Sequence, residues 1–283
     1  MRRIGFLTAV FFLAACTASP DRTLREAARF WDGTDFAASA ASPERTEARF
    51  ADYVRLLEDE RLRTDRTGPL LQELLVSAEA DEASSRLFGE LCEKYLYAPQ
   101  SPARNDELYL YALERMIESP YLNDYEKLRP RYQLNMVRRN RPGETASDFT
   151  YTLSDGATST LHAVEAPYTL LFFNDPDCGE CKETIRELRE EPSIGRLERE
   201  GRLRVLALYS NPEERTDLWR SHRNDYPSSW IVAYDDGAKI HYEGLYDLRS
   251  TPCLYLLDAD RRVLVKGVSG VERIVAALRR AER

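Results

Sequence analysis

Two cysteines lie three residues apart in the segment Cys178-Gly-Glu-Cys181, which follows an apolar run from Tyr168 to Asn174 and precedes a helical pattern. Two thiols at this spacing, at the start of a helix, can close into a disulfide and open again with little backbone movement. The helix N-terminus also stabilises the leaving thiolate. The pattern therefore indicates thiol–disulfide exchange.

The beginning of the chain indicates where such exchange would take place. Met1-Arg2-Arg3 is basic, residues 4–13 are apolar, and Leu13-Ala-Ala-Cys16 looks like a bacterial lipobox. An apolar run of about ten residues is too short to span a bilayer, which needs about 20, but it suits a secretory signal. We predict a signal peptide at 1–15, a lipidated Cys16 and a tether at 16–24. The alternative is an ordinary signal peptide that contains a cysteine.

Composition limits the partners and favours a redox pair. The formal net charge of −8 argues against nucleic acid and against an anionic membrane surface. An apolar share of 43% supports packed cores, and 283 residues allow two modest domains. If Cys16 carries lipid, four of the five cysteines remain. Cys178 and Cys181 would close too small a loop to be a good structural staple.

Helical periodicity predicts an all-α domain over residues 25–140. Apolar residues recur at helical spacing from Phe50 to Leu57, Leu87 to Tyr95 and Tyr125 to Met136. Breaks are predicted at residues 67–69, 98–102 and 119–120. We expect four or five helices, with Pro130 either kinking the last one or marking its start. Cys92 lies beside an apolar stripe, where a buried and inert thiol is expected.

From residue 141 to the C-terminus the spacing of apolar residues is no longer helical throughout, and stretches typical of strands alternate with helical ones. This pattern predicts an α/β domain. Asp155-Gly156 is a hairpin signal. Strands are expected at 169–173, 203–209 and 230–233, followed by a hairpin of 253–257 and 262–266. Helices are expected at 178–190, about 213–222 and 271–280. The order is β-α-β, an intervening segment, and then β-β-α.

The segment from Phe172 to Lys182, together with Thr251-Pro252 before the strand that starts at Cys253, resembles the thioredoxin-like domains of the TlpA/ResA class. The resemblance implies a central mixed sheet flanked by helices over 141–283. It implies that Cys178 attacks a substrate disulfide and that Cys181 resolves the mixed disulfide. It also implies a cis peptide bond before Pro252 and pairing of the Thr251 backbone with substrate, the alternative being an ordinary trans proline.

The N-terminal half resembles a helical domain of unknown function that precedes thioredoxin-like domains in lipoproteins of Bacteroidota. The residues that carry this second resemblance are Phe30 to Phe36, Lys94 to Tyr97 and Tyr125 to Tyr132. No role for the domain comes with the resemblance.

Two positions depart from the thioredoxin-like pattern. Cys253 stands where a non-thiol residue is more common, so it either faces the core or can trap Cys178 or Cys181 in an alternative disulfide. Phe172 stands six positions before Cys178, where many relatives carry a buried acid or a polar residue. Carboxylates near the motif that can accept a proton from Cys181 through water are Asp175, Asp177, Glu180 and Glu183.

These acids should also destabilise the Cys178 thiolate, which favours reduction over oxidation. Glu180, inside the motif, and Cys253 are therefore candidate modulators of the pair.

Half of a zinc site is the competing interpretation of Cys178 and Cys181. Structural zinc needs four ligands, and the remaining candidates form no second ligand pair: Cys92, Cys253, His162, His222 and His241. We therefore expect no metal, and no cofactor other than the redox-active disulfide Cys178–Cys181.

The sequence as a whole predicts a lipid-anchored, exported thiol–disulfide oxidoreductase that reduces or isomerises disulfides of exported proteins. It would lie in the bacterial cell envelope, facing the periplasm, and would take electrons from a membrane donor. The alternative is a non-catalytic binding or assembly lipoprotein that uses the thioredoxin fold as a scaffold.

Overall fold

The computed structural model describes residues 19–59, 61–210 and 216–282. The predicted signal peptide, the lipidated Cys16 and the first part of the tether lie outside the described residues. By contacts the chain divides into two compact units. The first contains residues up to Leu96 together with Ser101–Arg115, and the second contains Tyr97–Gln100 and the chain from Met116 onward.

The N-terminal part is all-α, as predicted. The structure describes six α-helices before residue 140, more than the four or five expected: α1 (Pro20–Arg29), α2 (Pro43–Leu57), α3 (Thr64–Ala78), α4 (Glu82–Cys92), α5 (Asp106–Glu118) and α6 (Leu128–Arg138). The extra helix is α1, which takes in part of the predicted tether. Ser19 caps α1 by accepting a hydrogen bond from the Arg22 N–H at 3.3 Å.

The break predicted at residues 67–69 is wrong, because α3 continues through Pro69. Pro69 is the sixth residue of α3, so the Asp65 carbonyl lacks the hydrogen bond that another residue would donate there, and the packing of the buried residues of α3 must offset that cost. Gly68 is buried there, and a Cβ placed on it would lie 2.3 Å from the ring of Tyr111. The small residue therefore lets α3 and α5 approach closely.

Helix α6 belongs to the second unit by its contacts, although we predicted a boundary after residue 140. Lys266 donates to the carbonyl oxygens of Met136 and Val137 at 3.4 and 2.7 Å. A cation at the C-terminus of a helix satisfies carbonyls that have no partner within the helix. Pro130 lies in the first turn of α6, so it marks the start of that helix and does not kink it.

The second unit is built on one seven-stranded mixed sheet among the described residues, with the order β2-β1-β5-β4-β3-β6-β7. The strands are β1 (Thr150–Leu153), β2 (Thr158–Thr160), β3 (Tyr168–Asn174), β4 (Leu203–Tyr209), β5 (Ile231–Tyr234), β6 (Cys253–Asp258) and β7 (Val263–Val268). The helices are α7 (Gly179–Glu190), α8 (Pro192–Arg199), α9 (Thr216–Ser221), α10 (Lys239–Tyr242) and α11 (Val271–Ala281). The predicted strand and helix order is confirmed, and α8 and α10 are additions to it.

Strand β3 is central, running parallel to β4 and antiparallel to β6. Its successive side chains enter two different cores because a strand alternates between the faces of its sheet. Phe172 packs with residues of α7, α8 and α11, whereas Phe173 packs with the core on the opposite face. Because both cores hold β3, the loop that begins after Asn174 starts from a fixed position next to α7.

Replacing Gly68 with alanine should destabilise the first unit by about 1–3 kcal/mol, because the new methyl group would overlap a buried ring. The matched control is Gly195→Ala in α8, where the added Cβ meets only the flexible Arg199 side chain at 3.3 Å. That change should be neutral or stabilise by up to about 1 kcal/mol, since alanine is the better helix former. Urea denaturation followed by circular dichroism measures both. Equal stability of Gly68→Ala and wild type would contradict the close approach.

Candidate active site

Helix α7 begins at the first cysteine of the motif. Cys178 is its N-cap, in an extended conformation with φ −79° and ψ 116°, and its sulfur accepts a hydrogen bond from the Cys181 N–H at 3.1 Å. The Cys178 N–H donates in turn to the Asp175 carbonyl at 3.0 Å. A sulfur at this position faces the unpaired N–H groups and the positive end of the helix, which favour a thiolate.

The two thiols lie in different surroundings. Cys178 is half-buried, whereas Cys181 is only 1% exposed and packs in the core beside Phe172. Burial, followed by the hydrogen bond with Cys178, raises the pKa of the Cys181 thiol well above its usual value. The Asp175 N–H and the Thr251 side chain oppose this rise by hydrogen-bonding to the Cys181 sulfur. Cys178 is thus the accessible thiol of the pair, and Cys181 is the protected one.

The loop before β6 lies against Cys178. The Thr251–Pro252 peptide bond is cis, and the Cys178 thiol donates to the Thr251 carbonyl at 3.6 Å. Two residues earlier, the Arg249 guanidinium binds the buried Asp247 carboxylate through two N–H groups, each at 2.7 Å. An ion pair of this bidentate kind is geometrically specific and restrains the loop. The structure thus brings Cys178, Cys181 and Thr251 together.

Cys253 lies on the other face of the sheet from Cys181. It pairs in register with Phe173 across β3 and β6, is 3% exposed, and belongs to the same core cluster as Phe173. Its thiol donates to the Asp247 carbonyl at 3.7 Å. Of the two alternatives that the sequence left open, the structure places Cys253 in the core.

The acidic residues of the motif are largely directed to solvent. Glu180 is exposed in the first turn of α7, and Asp177 is exposed in the loop between β3 and α7. Glu183 is bound by Arg186, which lowers the pKa of its carboxyl. Asp175 is the exception, because it is half-buried and its carbonyl accepts a hydrogen bond from the Cys178 N–H at 3.0 Å.

Sequence reasoning missed two residues beside Cys181. Asn174, the last residue of β3, is 3% exposed, and its side-chain oxygen accepts a hydrogen bond from the Tyr226 hydroxyl at 2.5 Å. A buried amide at the end of an otherwise apolar strand is a signal that was available in the sequence. No comparable signal in the sequence pointed to Tyr226, because its contact with Asn174 joins positions 52 residues apart.

The described residues contain no group of three or more His, Cys, Asp or Glu side chains arranged to hold a metal ion. Within the same residues, no helix is both long enough and apolar enough to cross a membrane. The four cysteines that the structure describes are free thiols.

Comparison with known proteins gives matches to both halves of the chain. The model of a domain of unknown function, DUF5106, matches residues 18–140. The crystal structure of a thioredoxin-like protein from Bacteroides caccae ATCC 43185 is similar over 99% of this chain and 100% of that chain, with 34% identity and a TM-score of 0.88. These two matches confirm the resemblance to thioredoxin-like proteins and the resemblance of the N-terminal half to a domain of unknown function. No curated protein matches the chain.

Two further solved structures match the C-terminal half alone. The C-terminal domain of an uncharacterized protein from Bacteroides fragilis NCTC 9343 has 41% identity and a TM-score of 0.48, covering 50% of this chain and 98% of that one. The thioredoxin domain of a thiol-disulfide oxidoreductase from Bacteroides vulgatus has 15% identity and a TM-score of 0.42, covering 50% and 97%.

Alkylation of the reduced, folded protein with iodoacetamide should modify Cys178 first. Cys92, Cys181 and Cys253 should react at least about tenfold more slowly, because a buried thiol neither ionises readily nor meets the reagent. Peptide mass spectrometry over a time course measures each site separately. In concentrated urea all four should react at similar rates, which is the control. Modification of Cys253 or Cys92 as fast as Cys178 in the folded protein would contradict the assigned burial.

Proposed function

The chain belongs to the thioredoxin-like proteins, and we propose that it is a thiol–disulfide oxidoreductase that reduces or isomerises disulfides of exported proteins. One observation carries the proposal. Cys178, the N-cap of α7, is half-buried, whereas Cys181, whose N–H donates to the Cys178 sulfur, is buried. An accessible nucleophile with a protected resolving thiol is the arrangement that two-step disulfide exchange requires.

In the first step the Cys178 thiolate attacks one sulfur of a client disulfide. A new S–S bond joins Cys178 to the client, and the client's other sulfur leaves as a thiolate that takes a proton from solvent. The helix N-terminus supports the attacking thiolate. The Thr251 carbonyl, 3.6 Å from the Cys178 sulfur, lies where the backbone of an extended client can pair beside the reacting atoms.

In the second step Cys181 gives its proton to solvent and its thiolate attacks the Cys178 sulfur. The bond between Cys178 and the client breaks, the client leaves as its second thiolate, and the Cys178–Cys181 disulfide remains. The two electrons that the client gains come from the dithiol. The chain needs no cofactor for this exchange other than the redox-active disulfide, but each further turnover needs a dithiol reductant.

The location of this chemistry is part of the proposal. The basic start, the short apolar run and the cysteine at position 16 favour export and lipidation of Cys16. A tethered reductase in the cell envelope, facing the periplasm, would draw electrons from a membrane donor. The negative net charge of −8 disfavours nucleic acid as a partner.

The Cys178→Ser protein should lose catalysis of insulin reduction by dithiothreitol and fall to the uncatalysed rate, because a serine hydroxyl cannot form the mixed disulfide. Precipitation of the released insulin chain measures the rate. Cys92→Ala, which removes a buried thiol from α4, is the matched control and should retain the wild-type rate. Equal rates for Cys178→Ser and wild type would falsify the proposal and favour a non-catalytic scaffold.

The Cys181→Ser protein should behave differently from Cys178→Ser. It retains the attacking thiol but cannot resolve the mixed disulfide, so it should accumulate a covalent adduct with insulin. Non-reducing electrophoresis detects the adduct, and added dithiothreitol should release it. A Cys181→Ser protein that forms no adduct would contradict the division of roles between the two cysteines.

A further inference from the structure

A buried polar pair lies on the Cys181 side of the sheet. Tyr226 is 8% exposed and shares a core cluster with Cys181, Phe172 and Trp230. Its hydroxyl donates to the Asn174 side-chain oxygen at 2.5 Å, a contact that is itself buried. A short, buried hydrogen bond between two neutral side chains fixes both of them, since neither has water as an alternative partner.

Asn174 uses both ends of its amide. Its nitrogen donates to the Phe172 carbonyl at 3.1 Å and to the Leu208 carbonyl at 3.4 Å, while its oxygen accepts from Tyr226. The side chain therefore joins the end of β3 to β4 and to the segment before β5. With its oxygen unpaired, the amide would carry the cost of a buried acceptor and would lose its fixed orientation.

The next residue in the chain is Asp175, whose carbonyl accepts a hydrogen bond from the Cys178 N–H at 3.0 Å and whose backbone N–H acts on the Cys181 thiol as a donor that lowers its pKa. The direction of that N–H is set by the backbone immediately after Asn174. Cys181 is buried, so few other donors can reach its sulfur when it becomes a thiolate. A fixed N–H dipole at this point lowers the free energy of the charged form.

We propose that Tyr226 and Asn174 are positioning residues for the resolving step, holding the Asp175 N–H against the Cys181 sulfur so that its thiolate can form within the core. The inference rests on the proposed function, because it assigns the pair to the second step of disulfide exchange. A neutral phenol and a neutral amide thus lie on the Cys181 side of the sheet, where Phe172 offers no proton acceptor.

Among the described residues, few titratable groups face Cys181 and Tyr226. Cys178 faces Cys181, and the groups that face Tyr226 are Cys181, Asp225 and Asp175. Burial, followed by the charge of a Cys181 thiolate, raises the pKa of the Tyr226 hydroxyl. The phenol is therefore neutral at working pH and acts through its hydrogen bond, not as a proton acceptor for Cys181.

The test uses the reduced full-length chain carrying Cys16→Ser, mixed with the aromatic disulfide DTNB. Attack by Cys178 releases one thionitrobenzoate and leaves the other bound to Cys178 through a mixed disulfide. Attack by Cys181 then releases the second, at a rate independent of DTNB concentration. The two phases separate the accessible thiol from the resolving thiol in one stopped-flow record.

Tyr226→Phe should slow the second phase about threefold to tenfold at neutral pH and leave the first phase within about twofold. The change removes the support of the Asp175 N–H, and a weaker hydrogen bond from that N–H to the charged Cys181 sulfur lowers the thiolate population by up to about tenfold. The higher nucleophilicity of a more basic thiolate offsets part of that loss. The second-phase rate should rise with pH in both proteins. The variant should reach a given second-phase rate at a pH about half a unit to one unit higher than the wild type does.

Tyr246→Phe is the matched control. It also removes a buried phenol hydroxyl that donates a hydrogen bond, here to the Ser147 carbonyl at 2.6 Å, but on the opposite face of the sheet. Both phases should keep their wild-type rates. The first phase and the circular dichroism spectrum report in the same samples whether each variant is folded.

Asn174→Ser tests the other member of the pair without touching the tyrosine ring. It should slow the second phase in the same direction, and the double variant should be no slower than the slower single variant, because the two residues act as one unit. Second-phase rates and pH profiles of both single variants within twofold of wild type would overturn the inference. Release of a single thionitrobenzoate by the parent chain would instead overturn the proposed function, and with it the step that this pair serves.

Discussion

The site depends on the hydrogen bond from the Cys181 N–H to the Cys178 sulfur at the first turn of α7. It fixes one thiol at the positive end of the helix and places the other one turn further along, inside the core. The two sulfurs therefore stay within reach of each other, while burial raises the pKa of the Cys181 thiol. Exchange chemistry needs both conditions, since a pair of equally exposed thiols would give the client no defined point of attack.

The central sheet supplies the rigidity for this arrangement. β3 lies between β4 and β6, so the loop that leads into α7 starts from a strand paired on both sides. β6 starts directly after the Thr251–Pro252 bond, and its pairing with β3 carries that loop to Cys178. The bidentate pair of Arg249 and Asp247 restrains the same loop from the other side. Each reactive group is thus held by an element with its own core contacts.

Much of this could be read from the sequence, for physical reasons. The apolar run before Cys178 and the helical pattern after it are local signals, and they placed β3 and α7 closely. Local signals failed where context decides: α3 continues through Pro69, although a proline there leaves the Asp65 carbonyl without its helical donor, because the buried face of the helix holds it in place. The face taken by Cys253 was ambiguous because β6 is buried on both sides. Its sequence therefore lacks the alternation of polar and apolar residues that would show which side chains point to which face of the sheet.

The pairing of Asn174 with Tyr226 was beyond sequence reasoning, because it depends on a fold that joins positions 52 residues apart. The amide itself was visible at the end of an apolar strand, and a buried polar group there requires a partner. What the sequence could not supply was the identity of that partner.

The reduction potential of the Cys178–Cys181 pair tests the account most directly. Strong oxidants of this chemistry stabilise their reduced form, whereas a chain that reduces client disulfides needs a dithiol that gives up its electrons readily. Equilibration with glutathione or dithiothreitol buffers, with the dithiol fraction measured by alkylation, gives the value. We expect a reducing potential near that of thioredoxin, about −270 mV. A value near −120 mV, typical of a strong oxidant, or a pair that does not equilibrate at all, would contradict it.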